Sequence, residues 1–596
     1  MNKTLFKSIR EYKKQSMLAP ILVILEVLME VLIPLEMAKI IDVGIANHDN
    51  GYIVQRFFIL ISMAAFGLTC TITAQFFAAK ASVGFATRLR QAVYDHVQKL
   101  SFTELDTLGT DTLITRLTDD INQVQNGLNM GLRLILRSPF IVLGSMVMAF
   151  TIDFKCALVF AVAIPFLFLV VFVIMFLSIP LFKKVQGKLD TVTRLTRENL
   201  TGVRVIRAFC REKEAVSEFD TRNQELTKLN LFVGRLSALL NPVTYVLINI
   251  ATVILIQKAG VEVNLGGMQQ GQVVALYNYM AQMIVELIKL ASLIITLNKS
   301  AACAGRVADI LKVKSSMSYP AATESAKAST STDSENAVVF DNVSFKYSGA
   351  GAPSLSNISF SVKKGQTVGI IGSTGSGKTT LVNLISRFYD ASEGTVLLDG
   401  QNIETYTRND LRSRVGVVPQ KAALFKGTIR DNLKWGREDA TDNDLWQALT
   451  TAQGKEVVEG KPGQLDFGLE QNGKNLSGGQ KQRLTIARAL VKKPEILILD
   501  DSASALDFAT DAALRKSLNR LDWNVTTFLV SQRSSSIQQA DLILVLDNGT
   551  LAGKGTHAEL LRTCETYREI YFSQFPEEKA RYTSAGADGI MTEVTV

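Results

Sequence analysis

Histidine, cysteine and charge are all scarce in this sequence. Its 596 residues include three histidines, His48, His96 and His557, and five cysteines. No two cysteines form a C-x-x-C pair, so the sequence indicates neither a zinc site nor a disulfide framework. Charged residues make up 20% of the chain, and no dense run of lysine and arginine favours nucleic acid as a partner. Hydrophobic residues make up 47% of the chain, and their distribution is the main evidence on the structure of its first half.

Six apolar segments lie between residues 17 and 300. Several are free of charge for about 20 residues, which is the length needed to cross a bilayer. The backbone finds no hydrogen-bond partner in lipid, so each segment is predicted to be a transmembrane helix. The segments cover approximately residues 18–41, 57–79, 134–152, 156–182, 236–257 and 272–298.

The connections after the second and fourth segments are long, roughly 50 residues each. Both are amphipathic, and two antiparallel helices of this length would extend ~35–40 Å beyond the membrane. The connection after the fourth segment is rich in lysine and arginine, including Lys183, Lys184, Arg204, Arg207 and Arg211, whereas the short connections carry almost none. The positive-inside rule therefore predicts a multi-pass protein of the cell membrane, with the long connections, both termini and the second half of the chain in the cytoplasm.

Composition divides the chain into five regions. Residues 1–16 are basic and amphipathic without a cleavage site, which indicates a helix lying on the membrane surface rather than a signal peptide. The transmembrane domain is expected over 17–312, followed by a flexible linker over 313–337 that is rich in serine, threonine and alanine. A soluble domain is expected over 338–575, and the polar tail 576–596 is expected to be disordered.

The soluble domain contains a phosphate-binding loop of the form G-x-x-x-x-G-K-T. An apolar strand, residues 367–371, precedes the loop, and a helical run, residues 380–385, follows it, as this motif requires. Its glycines let backbone N–H groups approach a phosphate, while Lys378 can reach the outer phosphates and Thr379 can ligate Mg²⁺. We therefore expect ATP and Mg²⁺ to bind to Gly372, Ser373, Thr374, Gly375, Ser376, Gly377, Lys378, Thr379 and Thr380.

Four further features suit an ATP site. Tyr347, about 25 residues before the loop, can stack on adenine. Gln420 follows a strand and offers its amide to Mg²⁺ or to water, and Asp500 ends an apolar strand where its carboxylate suits Mg²⁺. The segment Leu476–Gln480 reads L-S-G-G-Q and opens a helix, so its N–H groups form a second phosphate site.

The L-S-G-G-Q segment with its following helix is highly specific to ABC transporters, and the soluble domain resembles their nucleotide-binding domain. With the six upstream helices, residues 1–575 resemble a half-transporter of the ABC exporter class. This resemblance implies an α-helical membrane domain of six transmembrane helices fused to an α/β P-loop ATPase domain. Residues 110–118 and 198–209 resemble the stretches around the coupling helices, which in that family touch the nucleotide domain.

The resemblance also implies a second half-transporter as partner. In the family two nucleotide domains meet head to tail, and ATP lies between the phosphate loop of one chain and the L-S-G-G-Q of the other. The signature residues of this chain are therefore expected to act in trans on the partner's ATP. They are Ser477, Gly478, Gly479 and Gln480.

Two positions depart from the family pattern. The general base that follows Asp500 is normally glutamate but is Asp501 here, and the switch residue is normally histidine but is Gln532 here. Aspartate is one methylene shorter, and ~1 Å of misplacement of a base can cost about 10²-fold in rate. Glutamine can hydrogen-bond a γ-phosphate but shuttles no proton. We therefore expect a heterodimer in which this chain's own site binds ATP and hydrolyses it poorly.

Alternatives to the heterodimer remain open at this stage. One is a slow homodimeric exporter that tolerates Asp501 and Gln532, and another is a membrane subunit that gates or senses through ATP binding without pumping. Amphipathic compounds, lipids and peptides are all compatible as substrates leaving the cytoplasm or the inner leaflet.

Acidic side chains inside the apolar segments also have two interpretations. Glu26 and Glu30 share one face of the first helix, where they either line a cavity that attracts cations or pack against a neighbouring helix. The same choice between an adaptable pocket and helix packing applies to the sixth helix. The residues concerned there are Tyr277, Tyr279, Met280, Met283 and Glu286.

Overall fold

The structure, a computed structural model, describes residues 11–320, 334–502 and 504–579. The chain divides into two compact units. The first contains Thr110–Val313 together with the described residues up to Gln98. The second contains the short segment Lys99–Gly109 together with the described residues after Val313.

The first unit is entirely helical in its regular structure. Six of its helical stretches are long and apolar enough to span a membrane, so the six predicted transmembrane helices are confirmed. The helices are α1 Lys13–Lys39, α2 Asn50–Val97, α4 Thr110–Thr115, α5 Ile121–Leu134, α6 Arg137–Ile152, α7 Phe154–Thr201, α8 Val203–Ala208, α9 Glu212–Ala238, α10 Leu240–Asn264 and α11 Gln270–Lys312, while α3 Phe102–Leu108 belongs to the second unit.

The helices α2 and α7 continue far beyond the apolar segments from which they were predicted. Each has 48 residues, a length of about 72 Å and more than twice the ~30 Å thickness of the hydrocarbon core. In α2 the extension keeps a buried stripe at every fourth residue, formed by Ala81, Phe85 and Leu89. Because this stripe continues the helical period, the long connections begin as uninterrupted extensions of the transmembrane helices.

Charged side chains inside the first unit are paired with one another. Nη2 of Arg137 on α6 lies 2.9 Å from Oε2 of Glu30 and 3.5 Å from Oε1 of Glu26, and both glutamates are on α1. On α11, Glu286 accepts hydrogen bonds from the Ser138 hydroxyl and from Lys289, each at 2.8 Å. These contacts favour the packing interpretation of the acidic residues.

The aromatic and methionine residues of α11 are mostly buried as well. Tyr279, Met280 and Met283 are at most 2% exposed, and the Tyr279 hydroxyl donates to the Val31 carbonyl at 2.7 Å. Tyr277, at 49%, is the exposed member of the group. This side of α11 therefore packs against α1 within the helical unit.

The second unit is an α/β domain with three sheets. Their strand orders are β2-β1-β4-β5, β12-β11-β3-β10-β9-β6 and β7-β8. The strands are β1 Asn336–Phe345, β2 Leu355–Lys363, β3 Thr367–Gly372, β4 Glu393–Leu398, β5 Gln401–Asn402, β6 Val415–Val418, β7 Gly427–Thr428, β8 Gly468–Leu469, β9 Ile496–Asp500, β10 Thr526–Val530, β11 Leu542–Asp547 and β12 Thr550–Gly555. The helices are α12 Lys378–Ile385, α13 Arg408–Arg414, α14 Ile429–Lys434, α15 Asp442–Thr451, α16 Lys455–Glu459, α17 Gly478–Val491, α18 Phe508–Leu518, α19 Ser534–Ile537, α20 His557–Thr563 and α21 Glu565–Gln574.

The six-stranded sheet gathers the sequence motifs at one edge. Strands β3, β10, β9 and β6 are mutually parallel neighbours, so their carboxyl ends meet at the same edge. The phosphate loop follows β3, Asp501 follows β9, Gln532 follows β10 and Gln420 follows β6. Strand β9 is buried along its whole length, and this fixes Asp500 at its end.

The regions expected at the domain boundaries are only partly described. Helix α1 begins at Lys13, so the end of the predicted surface helix 1–16 belongs to the first transmembrane helix, while residues 1–10 lie outside the described residues. In the predicted linker, β1 already begins at Asn336, and residues 321–333 lie outside the described residues.

The described ends of the linker and the tail make specific contacts. The Ser316 N–H donates to Oε1 of Glu104 at 3.1 Å, and the Ser318 carbonyl accepts from Arg387 at 3.0 Å. In the predicted tail, Glu578 accepts from the Tyr571 hydroxyl at 2.6 Å, while residues 580–596 lie outside the described residues. The first residues of the linker therefore contact the second unit, and the flexibility of the linker as a whole stays a prediction.

Candidate nucleotide-binding site

The phosphate loop connects β3 to α12. Gly375 and Gly377 have φ angles of 84° and 97°, a region that favours glycine. A Cβ on Gly377 would lie 2.7 Å from Cδ2 of Leu355 and 2.8 Å from the Ser354 carbonyl oxygen. The loop therefore needs glycine at this position for its backbone to turn back into the N-terminus of α12, where N–H groups favour an anion.

Lys378 lies within the loop that it is expected to serve. Its Nζ donates to the carbonyls of Gly372 at 2.9 Å and of Ser373 at 2.6 Å. Burial lowers the pKa of Lys378, and the nearby carboxylates of Asp501 and Asp500 oppose that shift. The ammonium is thus held at the loop, next to the position where phosphates would bind.

Thr379 and Asp500 form a pair that suits Mg²⁺. The Thr379 hydroxyl donates to Oδ1 of Asp500 at 3.1 Å. Neighbouring ligands of an octahedral Mg²⁺, each at 2.0–2.1 Å from the ion, are about 3 Å apart, so one ion fits both oxygens. Burial raises the pKa of Asp500 and the hydrogen bond from Thr379 opposes it, so a bound cation would stabilise the ionised carboxylate.

A cleft of about 340 Å³ brings these groups together. It is lined by Tyr347, Ser354, Thr374, Gly375, Gly377, Lys378, Thr379, Thr380, Gln420, Asp500, Asp501, Val530, Ser531 and Gln532. Among the described residues that line it, none comes from the signature Ser477–Gln480. Of the other predicted residues, Gly372, Ser373 and Ser376 are not part of this lining, while the rest line the cleft.

Asp501 and Gln532 follow the neighbouring strands β9 and β10 at the end of the sheet. Asp501 has a left-handed backbone with φ of 46°, and its N–H donates to the Val530 carbonyl at 3.0 Å. Its carboxylate accepts from Nε2 of Gln420 at 3.2 Å. Gln532 is held through its backbone, since its carbonyl accepts from the side-chain amide of Gln574 at 2.8 Å.

Within the described part of the chain, no histidine lines the cleft. His557 is half-buried away from the cleft, where its Nδ1 lies 2.8 Å from the Tyr567 hydroxyl, and partial burial lowers its pKa. His48 and His96 belong to the first unit. The described lining of the cleft therefore offers no imidazole as a proton carrier.

The signature segment forms the exposed start of α17. Ser477 caps this helix in a capping box, in which its N–H donates to Oε1 of Gln480 at 3.1 Å. Ser477 and Gly478 are exposed, and a Cβ on Gly478 would meet no atom within 4 Å. The helix start is therefore free to accept an anion from outside the chain.

Two polar contacts near the cleft were not anticipated from the sequence. Arg533, directly after Gln532, donates to the carbonyls of Leu506 and Ser504 at 3.2 Å each, which ties the switch position to the segment after Asp501. The Tyr347 hydroxyl lies 3.1 Å from the Thr380 hydroxyl, which ties the expected adenine-stacking ring to α12. An arginine beside the switch position was the only sequence signal for the first contact, and the second had none.

Comparison with known proteins matches two family models to this chain. The model described as ABC transporter transmembrane region matches residues 16–287, and the model described as ABC transporter matches residues 355–504. The second match contains the phosphate loop and the signature segment described above.

Curated relatives cover almost the whole chain. The uncharacterized ABC transporter ATP-binding protein MT1311 of Mycobacterium tuberculosis is 35% identical over 570 residues, covering 95% of this chain and 97% of that protein. The uncharacterized ABC transporter ATP-binding protein YfiB of Bacillus subtilis is 34% identical over 570 residues, covering 96% and 98%. The probable multidrug resistance ABC transporter ATP-binding/permease protein YheI of Bacillus subtilis is 34% identical over 489 residues, or 82% of each chain.

A solved structure shows the same fold. The structure of a bacterial Atm1-family ABC exporter with ATP bound superposes with a TM-score of 0.76 at 23% identity, covering 95% of this chain and 98% of that chain. Six membrane-spanning helices are fused to a cytoplasmic ATPase domain, as the sequence predicted. The chain belongs to the ABC transporter family, as an ATP-binding and permease half-transporter of the exporter class.

Proposed function

We propose that this chain is one subunit of a heterodimeric ABC exporter whose own site binds ATP and Mg²⁺ but hydrolyses ATP slowly. The observation that carries the proposal is the composition of the cleft. Asp501 and Gln532 stand at the base and switch positions, while Lys378, Thr379 and Asp500 keep the groups that hold a nucleotide. Thr379 and Asp500, with Gln420 beside them, would hold Mg²⁺, which would supply positive charge next to the phosphates.

The base position explains the slow hydrolysis. A general base must lie within hydrogen-bond reach of the water that it activates. The Asp501 side chain is one methylene shorter than that of glutamate, and its carboxylate already accepts a hydrogen bond from Gln420. Gln532 can donate an amide hydrogen bond to a phosphate oxygen but cannot accept and return a proton at neutral pH. We infer that a nucleotide at this site stays bound through many catalytic cycles at the partner's site.

The signature supports a role on a second chain. Ser477 and Gly478 are exposed at the N-terminus of α17, outside this chain's own cleft. Positive potential at a helix N-terminus suits the phosphates of an ATP bound to another subunit. The proposed partner is a half-transporter with glutamate and histidine at the two altered positions. The intact signature of this chain then completes the partner's competent site.

The transported compound is proposed from the membrane domain and the relatives. One relative bears the name of a probable multidrug resistance transporter, which supports an amphipathic substrate. Lipids and peptides from the cytoplasm or the inner leaflet fit the same architecture. The alternatives to this proposal are a slow homodimeric exporter and a subunit that only senses ATP.

Photolabelling with azido-ATP tests whether the phosphate loop binds ATP. We expect Lys378→Ala to reduce labelling of this chain about tenfold or more, since a charge-assisted contact to phosphate is lost. Lys455→Ala, which removes an exposed lysine on α16, is the matched control and should label like wild type. Equal labelling of Lys378→Ala and wild type would refute the assignment of the loop as a nucleotide site.

A further inference from the structure

Three consecutive residues after α12 contact three separate segments of the second unit. Arg387, with φ of 47°, ends the helical path of α12. Its side chain donates to the Ser318 carbonyl at 3.0 Å and lies 4.5 Å from the centre of the Tyr319 ring. The linker is thereby attached to the residue that follows the helix of the phosphate loop.

The next two residues contact α3. The Phe388 ring lies 4.7 Å from the Phe102 ring, centre to centre. The Tyr389 hydroxyl donates to Oδ2 of Asp106 at 2.5 Å, across 283 residues of sequence. Helix α3 lies far from these residues in the sequence, yet it packs against them within the second unit.

Tyr389 also contacts the expected adenine-stacking ring. Its ring lies 5.2 Å from the Tyr347 ring at an interplanar angle of 84°, an edge-to-face contact. Tyr347 in turn lies within hydrogen-bond distance of Thr380, at the start of α12. A continuous path of contacts therefore runs from Asp106 through Tyr389 and Tyr347 to the phosphate loop.

A cavity beside this path makes Tyr389 important for the position of Tyr347. The cavity has a volume of about 370 Å³ and is bordered by Asp106, Tyr389 and Tyr347, among other residues. Tyr347 is thus open to a cavity on this side and to the nucleotide cleft on the other. Its edge-to-face contacts with Phe345 and Tyr389 fix the plane of its ring.

We propose that Tyr389 is a positioning residue for the nucleotide, which makes the orientation of Tyr347, and hence affinity for the adenine base, depend on Asp106 of α3. The inference rests on the proposed function, because it requires ATP at the phosphate loop with adenine against Tyr347. It makes affinity for the base depend on one hydroxyl group that lies outside the nucleotide cleft.

The experiment compares a ligand that has a base with one that has none. Azido-ATP labelling of this chain, in the full-length protein, is competed with unlabelled ATP or with tripolyphosphate, which can contact only the phosphate loop. Tyr389→Phe keeps the ring and removes the hydroxyl. We expect it to raise the ATP concentration needed for half-protection about threefold to tenfold and to leave the tripolyphosphate concentration unchanged.

Variants of the acceptor test the hydrogen bond itself. Asp106→Ala removes the acceptor and should reproduce the effect of Tyr389→Phe, whereas Asp106→Asn keeps an acceptor oxygen and should stay within about twofold of wild type. Tyr406→Phe is the matched control, since Tyr406 is a buried tyrosine whose hydroxyl donates to the Leu398 carbonyl at 2.8 Å, and it should leave both competitors unchanged.

The outcomes separate this inference from the proposed function. If Tyr389→Phe weakens ATP and tripolyphosphate equally, or weakens neither, Tyr389 does not position the base and the inference is wrong. Lys378→Ala is measured in parallel. Loss of labelling in Lys378→Ala together with an unchanged Tyr389→Phe overturns only this inference, whereas unchanged labelling in Lys378→Ala overturns the nucleotide site and the inference together.

Discussion

Gln420 and Asp501 are joined by a hydrogen bond of 3.2 Å at the edge of the cleft that also contains Lys378. In the proposed function, a residue that helps to bind the nucleotide is therefore a direct neighbour of the residue at the position of the catalytic base. Holding the nucleotide needs backbone N–H groups, an ammonium and two oxygens for Mg²⁺, all of which are present. Hydrolysis needs in addition a base at the correct distance, and one methylene group decides that distance.

The signature offers a second test at the residue scale. Gly478→Asp places a carboxylate at the start of α17, where a phosphate of the partner's ATP would bind. Repulsion, together with loss of the favourable helix terminus, should lower steady-state ATP hydrolysis by the complex about 10²-fold.

The matched control for this substitution is Gly468→Asp. Gly468 is also exposed, and a Cβ there would likewise meet no atom within 4 Å, so the same added charge should leave hydrolysis within about twofold of wild type. Near-normal turnover in Gly478→Asp would mean that the signature of this chain completes no competent site.

Most residues of the cleft were predicted from the sequence because their spacing is a local property. The loop Gly372–Thr379 and the strand-ending Asp500 are recognisable within a few residues, and the structure places both in one cleft. The contact between Tyr389 and Asp106 could not be predicted, since it joins residues 283 positions apart and neither belongs to a motif. Contacts of this kind depend on how separate elements are arranged, and a local sequence pattern does not predict that arrangement.

At the scale of elements, ion pairs and a hydrogen bond join three helices of the membrane unit. Arg137 on α6 pairs with Glu30 and Glu26 on α1, and Glu286 on α11 accepts from Ser138, the residue next to Arg137. An ionised side chain at membrane depth is costly unless it is paired. These contacts therefore give the acidic residues of α1 a structural role that needs no cation in a cavity.

Neutralising one of these carboxylates should destabilise the helix bundle. We expect Glu30→Gln to lower the free energy of unfolding by about 1–3 kcal/mol, because Arg137 loses its nearest charge partner in a site that is only partly exposed. Thermal unfolding in detergent, followed by the far-ultraviolet circular dichroism of the helices, measures the change as a lower midpoint.

Glu225→Gln is the control for the ion pair in α1. Glu225 pairs with Lys188 outside the apolar segments, and both side chains are well exposed, so this variant should stay within about 0.5 kcal/mol of wild type. If Glu30→Gln is as stable as Glu225→Gln, the pairing with Arg137 contributes little and the cavity interpretation becomes the better one.

The transmembrane helices were predicted from the sequence, but their ends and their packing partners were not. A bilayer imposes a minimum apolar length, so all six transmembrane helices were visible in the sequence. Their ends were not, because α2 and α7 continue as amphipathic helices that Gly84 and Gly187 do not interrupt. The partner of Glu30 was equally hidden, since helical periodicity gives a face but does not say which helix packs against it.

At the scale of the whole molecule, the chain supplies one phosphate loop and one signature, and its own cleft lacks the signature among its lining residues. A second chain is therefore required in the proposed function to complete either site. The asymmetry of the proposed heterodimer follows from this exchange, since the weak base of this chain and its intact signature then serve different ATP molecules.

Steady-state phosphate release from the purified complex tests this asymmetry most directly. Two variants are compared with wild type: Asp501→Asn in this chain, and glutamine in place of the glutamate at the equivalent position of the partner. We expect Asp501→Asn to retain at least about half of the activity, whereas loss of the partner's base should lower turnover by roughly 10²–10⁴-fold. If Asp501→Asn abolishes turnover as completely as the change in the partner, Asp501 is a working base and the proposed division of labour between the two sites is wrong.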